Sequence, residues 1–290
     1  MISITANIDK KIDKFIWNYE QSAFKISFET LGKGKAILLL PSFSTVSSRS
    51  EMNAIAEFLA SQYQVTVFDW LGFGESDRPK IDYQPNIYQQ LLTDFVNHYF
   101  SEPIIIVTAG HSAGYALTLA KNNPDLVAKI ILIAPTAQGP LKVMGVNDNV
   151  RKFVKNLINT PILGQFLYYL NTTPAFLRFM YRRHVFVNES QLTPEFINRK
   201  RQITQQKGAR FGSVAFVTGE IDPLDSREEF LNLISEIKQP IFNIIGENSP
   251  PYSLKTMEAI SKLNNVQTIR LSGTLGMAEE YGDLIAALIQ

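Results

Sequence analysis

The chain has 290 residues, 45% hydrophobic and 19% charged, with a formal net charge of +1 and no cysteine. That length suits one core domain carrying an insertion. The near-neutral balance excludes the strong field of a nucleic-acid or acidic-membrane binder, and the lack of cysteine excludes disulfides, thiolate metal sites and a cysteine nucleophile. The Arg182-Arg183 and Arg199-Lys200-Arg201 groups sit among apolar residues and read as solvated helix faces. The first fifteen residues show neither a secretory signal nor an anchor, and no run reaches the roughly 18 apolar residues of a membrane span. These features fit a cytoplasmic protein with no membrane span, no nucleic-acid partner and no cofactor.

In chain order, KFIWNYE and FKISFETLG read as two short strands meeting near Gln21-Ser22, an antiparallel pair leading into a sheet. AILLL (36–40), QVTVFDW (64–70), PIIIVTA (103–109) and KIILIAP (129–135) are apolar runs without alternation. Such runs mark strands buried on both faces, as in a parallel sheet. Helical patterns over 49–61, 87–100 and 113–123 alternate with them, which implies βαβ units and a doubly wound sheet. The pattern breaks at Gly139-Pro140. From 141 to about 224 no strand is predicted, and helical stretches rich in Phe, Tyr and Leu are punctuated by Pro161, Pro174 and Pro194. A helix over 226–237 opens with Ser226 and Glu229 at capping-box spacing. QPIFNIIG (239–246), a helix over 253–263, VQTIRLSG (266–273) and a closing helix over 283–290 restore the core pattern.

Gly110-His111-Ser112-Ala113-Gly114 matches G-x-S-x-G directly after a buried strand and at the start of a helix, the setting of a nucleophile elbow. Small residues beside the serine allow the strand and helix to approach. The helix N-terminus favours developing negative charge on Ser112, with Ala113 N–H as a first oxyanion donor. Two further motifs accompany it: LLLPSFS over 38–44, and Asp69-Trp70-Leu71-Gly72-Phe73-Gly74-Glu75-Ser76.

Taken together these motifs resemble the α/β-hydrolase superfamily over nearly the whole chain. The first sits where the family's oxyanion loop reads His-Gly-x, and the second is similar to its D-x-x-G-x-G-x-S loop. The resemblance implies an α/β-hydrolase fold: a mostly parallel, doubly wound sheet with an inserted helical cap. Residues 1–140 and 236–290 form the core, and 141–235 the cap. It further implies Ser112 as nucleophile and the main-chain N–H of Phe43 as second oxyanion donor. Cap aromatics Phe166, Tyr168, Tyr169, Phe176, Phe179 and Tyr181 either line an apolar pocket or form the cap's own core.

The departures concern the base and the acid. After the penultimate strand the family carries G-x-x-D; here the stretch is Gly246-Glu247-Asn248-Ser249, with Glu247 the nearby carboxylate. After the last strand the family's histidine is missing, and its place falls at Gly276 or Ala278. Of the three histidines present, His98 lies on the helix before the nucleophile strand, His111 points away from Ser112, and His184 in the cap is the candidate displaced base. No His/Asp/Glu set has metal-ligand spacing. Three readings stay open. The chain is a serine hydrolase acting on a carboxylic ester or related acyl substrate with a non-standard base. Alternatively, it is a degenerate member that binds an apolar ligand or a partner. In the third, histidine has been replaced at Gly276 or Ala278.

Overall fold

The computed structural model describes residues 11–290, so most of the N-terminal stretch read for a leader lies outside them. The predicted strands form one eight-stranded sheet in the order β1-β2-β4-β3-β5-β6-β7-β8. β1 (Asp13–Tyr19) and β2 (Ser22–Leu31) make the expected hairpin, and β2 joins β4 (Tyr63–Phe68) antiparallel. β3 (Lys35–Leu40), β5 (Ile104–Ala109), β6 (Val127–Ile133), β7 (Ile241–Gly246) and β8 (Val266–Leu271) continue in parallel from β4.

The apolar runs are unbroken because both sheet faces are covered. Successive side chains point to opposite faces. Leu38 and Leu40 therefore join one core with Phe68, Ile106 and Leu132, while Ile37 and Leu39 join the other with Val67, Val107 and Ile133. The first face carries α2 (Pro85–Tyr99) and α3 (Ala113–Asn122); the second carries α1 (Asn53–Leu59), which follows a 3₁₀ turn over Arg49–Met52.

Between β6 and β7 the described chain holds no strand. It runs through α4 (Pro140–Val143), α5 (Asp148–Asn159), α6 (Leu163–Leu170), α7 (Pro174–Met180), a π-helical turn (Tyr181–Val185), α8 (Pro194–Thr204) and α9 (Ala209–Thr218). Pro174 and Pro194 open helices rather than interrupt them. Each is the first helical residue, and the Thr173 and Thr193 hydroxyls before them accept from Phe176 and Phe196 N–H. A small core of Leu177, Tyr181, Phe186 and Phe196 ties this segment to Val46. The aromatics divide: Phe166, Tyr169 and Phe179 are exposed, Phe176 is half-buried, and Tyr168 and Tyr181 are buried.

α10 (Arg227–Glu236) is capped by Ser226, whose Oγ accepts from Glu229 N–H at 3.1 Å. It buries Phe230, Leu233 and Ile234 in the main core. α11 (Pro251–Ile260), α12 (Met277–Glu280) and α13 (Gly282–Ile289) complete the chain. No helix among the described residues is long and apolar enough to cross a membrane.

Candidate functional site

The turn after β5 decides the chemistry. β5 ends at Ala109, and the next residue, Gly110, takes the left-handed conformation with φ +54°. Residues Gly110–Ser112 then form a 3₁₀ turn, and Ser112, at φ −68°, is already right-handed at the head of α3. The sharp, strained residue that a nucleophile elbow holds towards its site is therefore Gly110, two residues before the serine. A side chain at Gly110 would run into Ser42 Oγ, which stands beside the apex.

Ser112 is fully buried. Its Oγ lies 2.8 Å from Thr108 Oγ1, 2.8 Å from Ala109 O and 3.3 Å from Leu40 O. Ala113 N–H, read as an oxyanion donor, bonds back to Gly110 O and closes the turn. The amide following the apex is that of His111. Phe43 N–H makes no hydrogen bond among the described residues, and the Phe43 ring is stacked on Trp70 at 4.9 Å between centroids.

A cavity of about 210 Å³ opens beyond the strand ends. Ser42, Phe43, Gly110 and Thr136 form its floor, and Tyr181 and Phe216 from the helical segment form its roof. Ser112 is not among its walls. Nor is His111, whose ring packs edge-on against Phe43 and Phe216 with Nε2 3.1 Å from Asp222 Oδ1, off the line of a hydrogen bond.

The proposed base and acid do not converge on it either. His184 sits in the π-helical turn, but the residues of that turn that line the cavity are Tyr181 and Val185. Burial, then the neighbouring Arg183, lower the His184 pKa. Glu247 is exposed and away from the cavity. His98 is exposed on α2. Gly276 and Ala278 do line the cavity, as does Leu275. Both positions offered for the family's histidine thus face the cavity, but a side chain at Gly276 would force its neighbours to move. A Cβ there would come within 2.6 Å of Val185 O.

The Asp69–Ser76 motif is structural. Asp69 accepts from Arg49 N–H at 2.6 Å, from Glu75 N–H at 2.8 Å and from the Arg49 guanidinium. That guanidinium also reaches Glu29 at 2.7 Å and Glu75 at 2.9 Å. Burial pushes the Asp69 carboxyl up while Arg49 and the N–H donors oppose it. Burial alone would lower Arg49, but Asp69, Glu29 and Glu75 outweigh it and hold it above its ordinary value. With so many donors on one carboxylate the pair stays charged.

Sequence reasoning missed three charged residues. Glu51, from the 3₁₀ turn before α1, and Glu279, from α12, both line the cavity. Lys200, 2% exposed on α8, lies with Nζ 2.9 Å from Glu279 Oε1. Glu51 is half-buried, although protein packs densely around its carboxyl. Burial pushes its carboxyl up to about 8; Lys200 and the Ser48 N–H oppose, while Glu279 and Asp69 add to the rise. The sequence reads Arg199-Lys200-Arg201 as a solvated face; Arg199 is exposed, whereas Lys200 is buried. Among the described residues no three His, Asp or Glu side chains are grouped to hold a metal.

A parallel sheet flanked by helices, a strand–turn–helix elbow and a cavity at the strand ends define an α/β-hydrolase scaffold. A profile of the alpha/beta hydrolase fold matches residues 35–277, and the chain belongs to that family. Among curated proteins, uncharacterised proteins of Mycobacterium tuberculosis and Mycobacterium bovis are 31% identical over 111 residues, 38% of this chain. The match takes in 32% of those relatives' length. A thermophilic esterase from Thermogutta terrifontis superposes with a TM-score of 0.72 at 19% identity, covering 96% of each chain. The enol-lactonase from Burkholderia xenovorans LB400 superposes at 0.69 and 16% identity, covering 92% of this chain and 95% of its own. These likenesses establish the fold.

Proposed function

We propose that this protein binds a small apolar molecule beneath its helical cap and forms no acyl-enzyme through Ser112. One observation carries the reading: the apex of the elbow is Gly110, and the Ser112 hydroxyl is spent on main-chain carbonyls inside the fold. A serine acts as nucleophile only when a base takes its proton and its oxygen faces substrate. Ser112 has neither a histidine partner nor access to the cavity. The cavity, about 210 Å³, is smaller than the ~300–1,000 Å³ typical of drug-sized ligands, which favours a fragment-sized occupant. The cysteine-free sequence is consistent with the cytoplasm.

The test pairs covalent labelling with binding. A fluorophosphonate probe is expected to leave Ser112 unlabelled, and 4-nitrophenyl acetate turnover is expected to be the same in the native protein and in Ser112→Ala. Small aromatic probes are expected to raise the melting temperature, and Thr136→Trp, which fills the cavity, is expected to abolish that rise. Labelled Ser112 would overturn this reading and restore the serine hydrolase of carboxylic esters or related acyl substrates that the esterase and lactonase likenesses favour. Label on Ser42 would instead move the nucleophile to the loop after β3.

A further inference from the structure

Neither Ser112 nor a histidine lines the cavity, yet the cavity holds carboxyls of its own. Glu51 enters from the 3₁₀ turn and Glu279 from α12, which packs against that turn. The remaining cavity surface is mainly apolar, from Phe43, Val46, Ala109, Phe216 and Leu275. We propose that Glu51, held as a neutral carboxylic acid, donates a hydrogen bond to the ligand, which is a small uncharged molecule with an apolar body and one carbonyl-type acceptor. This rests on the ligand-binding reading above and names the chemistry that the same cavity selects.

A carboxylate buried against apolar walls is costly, which favours its neutral form even against Lys200 and the Ser48 N–H. The groups facing Glu51 reinforce that outcome. Glu279, 2.9 Å from Lys200, adds to the rise of the Glu51 carboxyl. Asp69, behind the turn, is negative, and its countercharge is already shared with Arg49. Glu280 is turned away, bonding to Val187 and Asn188 N–H at 3.0 and 2.6 Å. Tyr181, buried and also lining the cavity, has its pKa pushed far above the ordinary phenol value by burial, then by Glu279 and Glu51, so it stays uncharged. Lys200 is the one cation of this group, and its partner is Glu279. A neutral carboxyl in this setting has a proton to give and apolar walls around it, which selects an acceptor over a cation or an anion. Burial holds the Glu51 pKa near 8, so the donor is present at neutral pH and lost in alkali.

The probes are ethylbenzene, acetophenone, benzoate and benzylamine, titrated calorimetrically into the full chain at pH 6.5 and 9.5. At pH 6.5 acetophenone is expected to bind about fivefold tighter to the native protein than to Glu51→Leu, the size of one net hydrogen bond. That advantage is expected to vanish at pH 9.5. In Glu51→Gln, whose amide N–H donates without titrating, it is expected to persist at both pH values. Ethylbenzene is expected to bind all three proteins alike. Equal acetophenone affinity in native and Glu51→Leu proteins would overturn the proposal, as would benzylamine binding best, since that marks a carboxylate site for cations. Failure of every probe, ethylbenzene included, would sink the underlying cavity-binding reading instead.

Discussion

Replacing Ser112 by alanine separates a structural serine from a catalytic one. The Ser112 hydroxyl has one proton to donate and stands 2.8 Å from both Ala109 O and Thr108 Oγ1. Ser112→Ala loses about 1 kcal/mol of net hydrogen bonding and leaves the fully buried Thr108 hydroxyl without its partner, a further penalty of about 1 kcal/mol or more. The expected destabilisation is about 2 kcal/mol. At about 2.1 cal/mol/K per residue, 290 residues give an unfolding entropy near 0.6 kcal/mol/K, so the melting temperature should fall by about 3 °C. Thr108→Val should cost a similar amount, and the double variant should cost less than the sum by about 1 kcal/mol, because the two hydroxyls are one another's partners. Scanning calorimetry on the four proteins gives the cycle, and probe binding should be unchanged throughout. The reasoning is refuted if Ser112→Ala leaves stability untouched while removing ester turnover.

Three further outcomes are expected. Gly276→Ala should lower stability by about 2 kcal/mol or more and weaken ethylbenzene binding, since its Cβ meets Val185 O at the cavity wall; an unaltered denaturation midpoint would contradict this. Arg49→Met should cost about 3–5 kcal/mol by leaving Asp69 and Glu29 buried without their cation, measured by urea unfolding; a loss below about 1 kcal/mol would show that the network is not needed. Glu51→Gln should flatten the pH dependence of stability. With a folded pKa near 8 above the ordinary 4.5, the native protein alone holds this proton between those values. Its contribution is full below 4.5, falls as pH rises by at most about 1.4 kcal/mol per unit, and is gone above 8. Parallel stability profiles for the native and Glu51→Gln proteins from pH 5 to 9 would refute that assignment.

The sheet was legible because parallel strands buried on both faces leave an unmistakable trace. Ile104 to Val107 and Ile130 to Ile133 are apolar at every position, and both runs lie inside the strands observed. The elbow was legible as a turn but not in register. G-x-S-x-G is satisfied by letter order, whereas the apex is set by where β5 stops pairing. Ala109 still pairs with Ile133, so the chain must turn at the very next residue, Gly110. Distance from the strand end is the signal that marks the left-handed residue, and Ser112 stands two residues beyond it. Glu51 and Lys200 were beyond reach for another reason. Their surroundings come from a 3₁₀ turn, α8 and α12, elements well separated in sequence, and no local pattern records that they meet.

The loops around the cavity are held in one shape by their own hydrogen bonds. Trp70 Nε1 donates to Pro41 O at 3.0 Å, Gly74 N–H donates to Ser47 O at 3.2 Å, and Ser47 Oγ bonds Ser42 O. These bonds zip the loop after β3 to the Asp69–Ser76 loop and hold Ser42 and Phe43 against the cavity. The Arg49 ion cluster beneath costs desolvation and is rarely a net source of stability, so its value here is the fixed shape it imposes on both loops. A hydrolase needs that shape to hold substrate against a nucleophile. A binder needs it to spare a ligand the entropic cost of ordering its site. Gly110 at the apex and a cavity lining without imidazole are the features on which the proposed binding role rests, and under that proposal the second requirement is the one these loops serve.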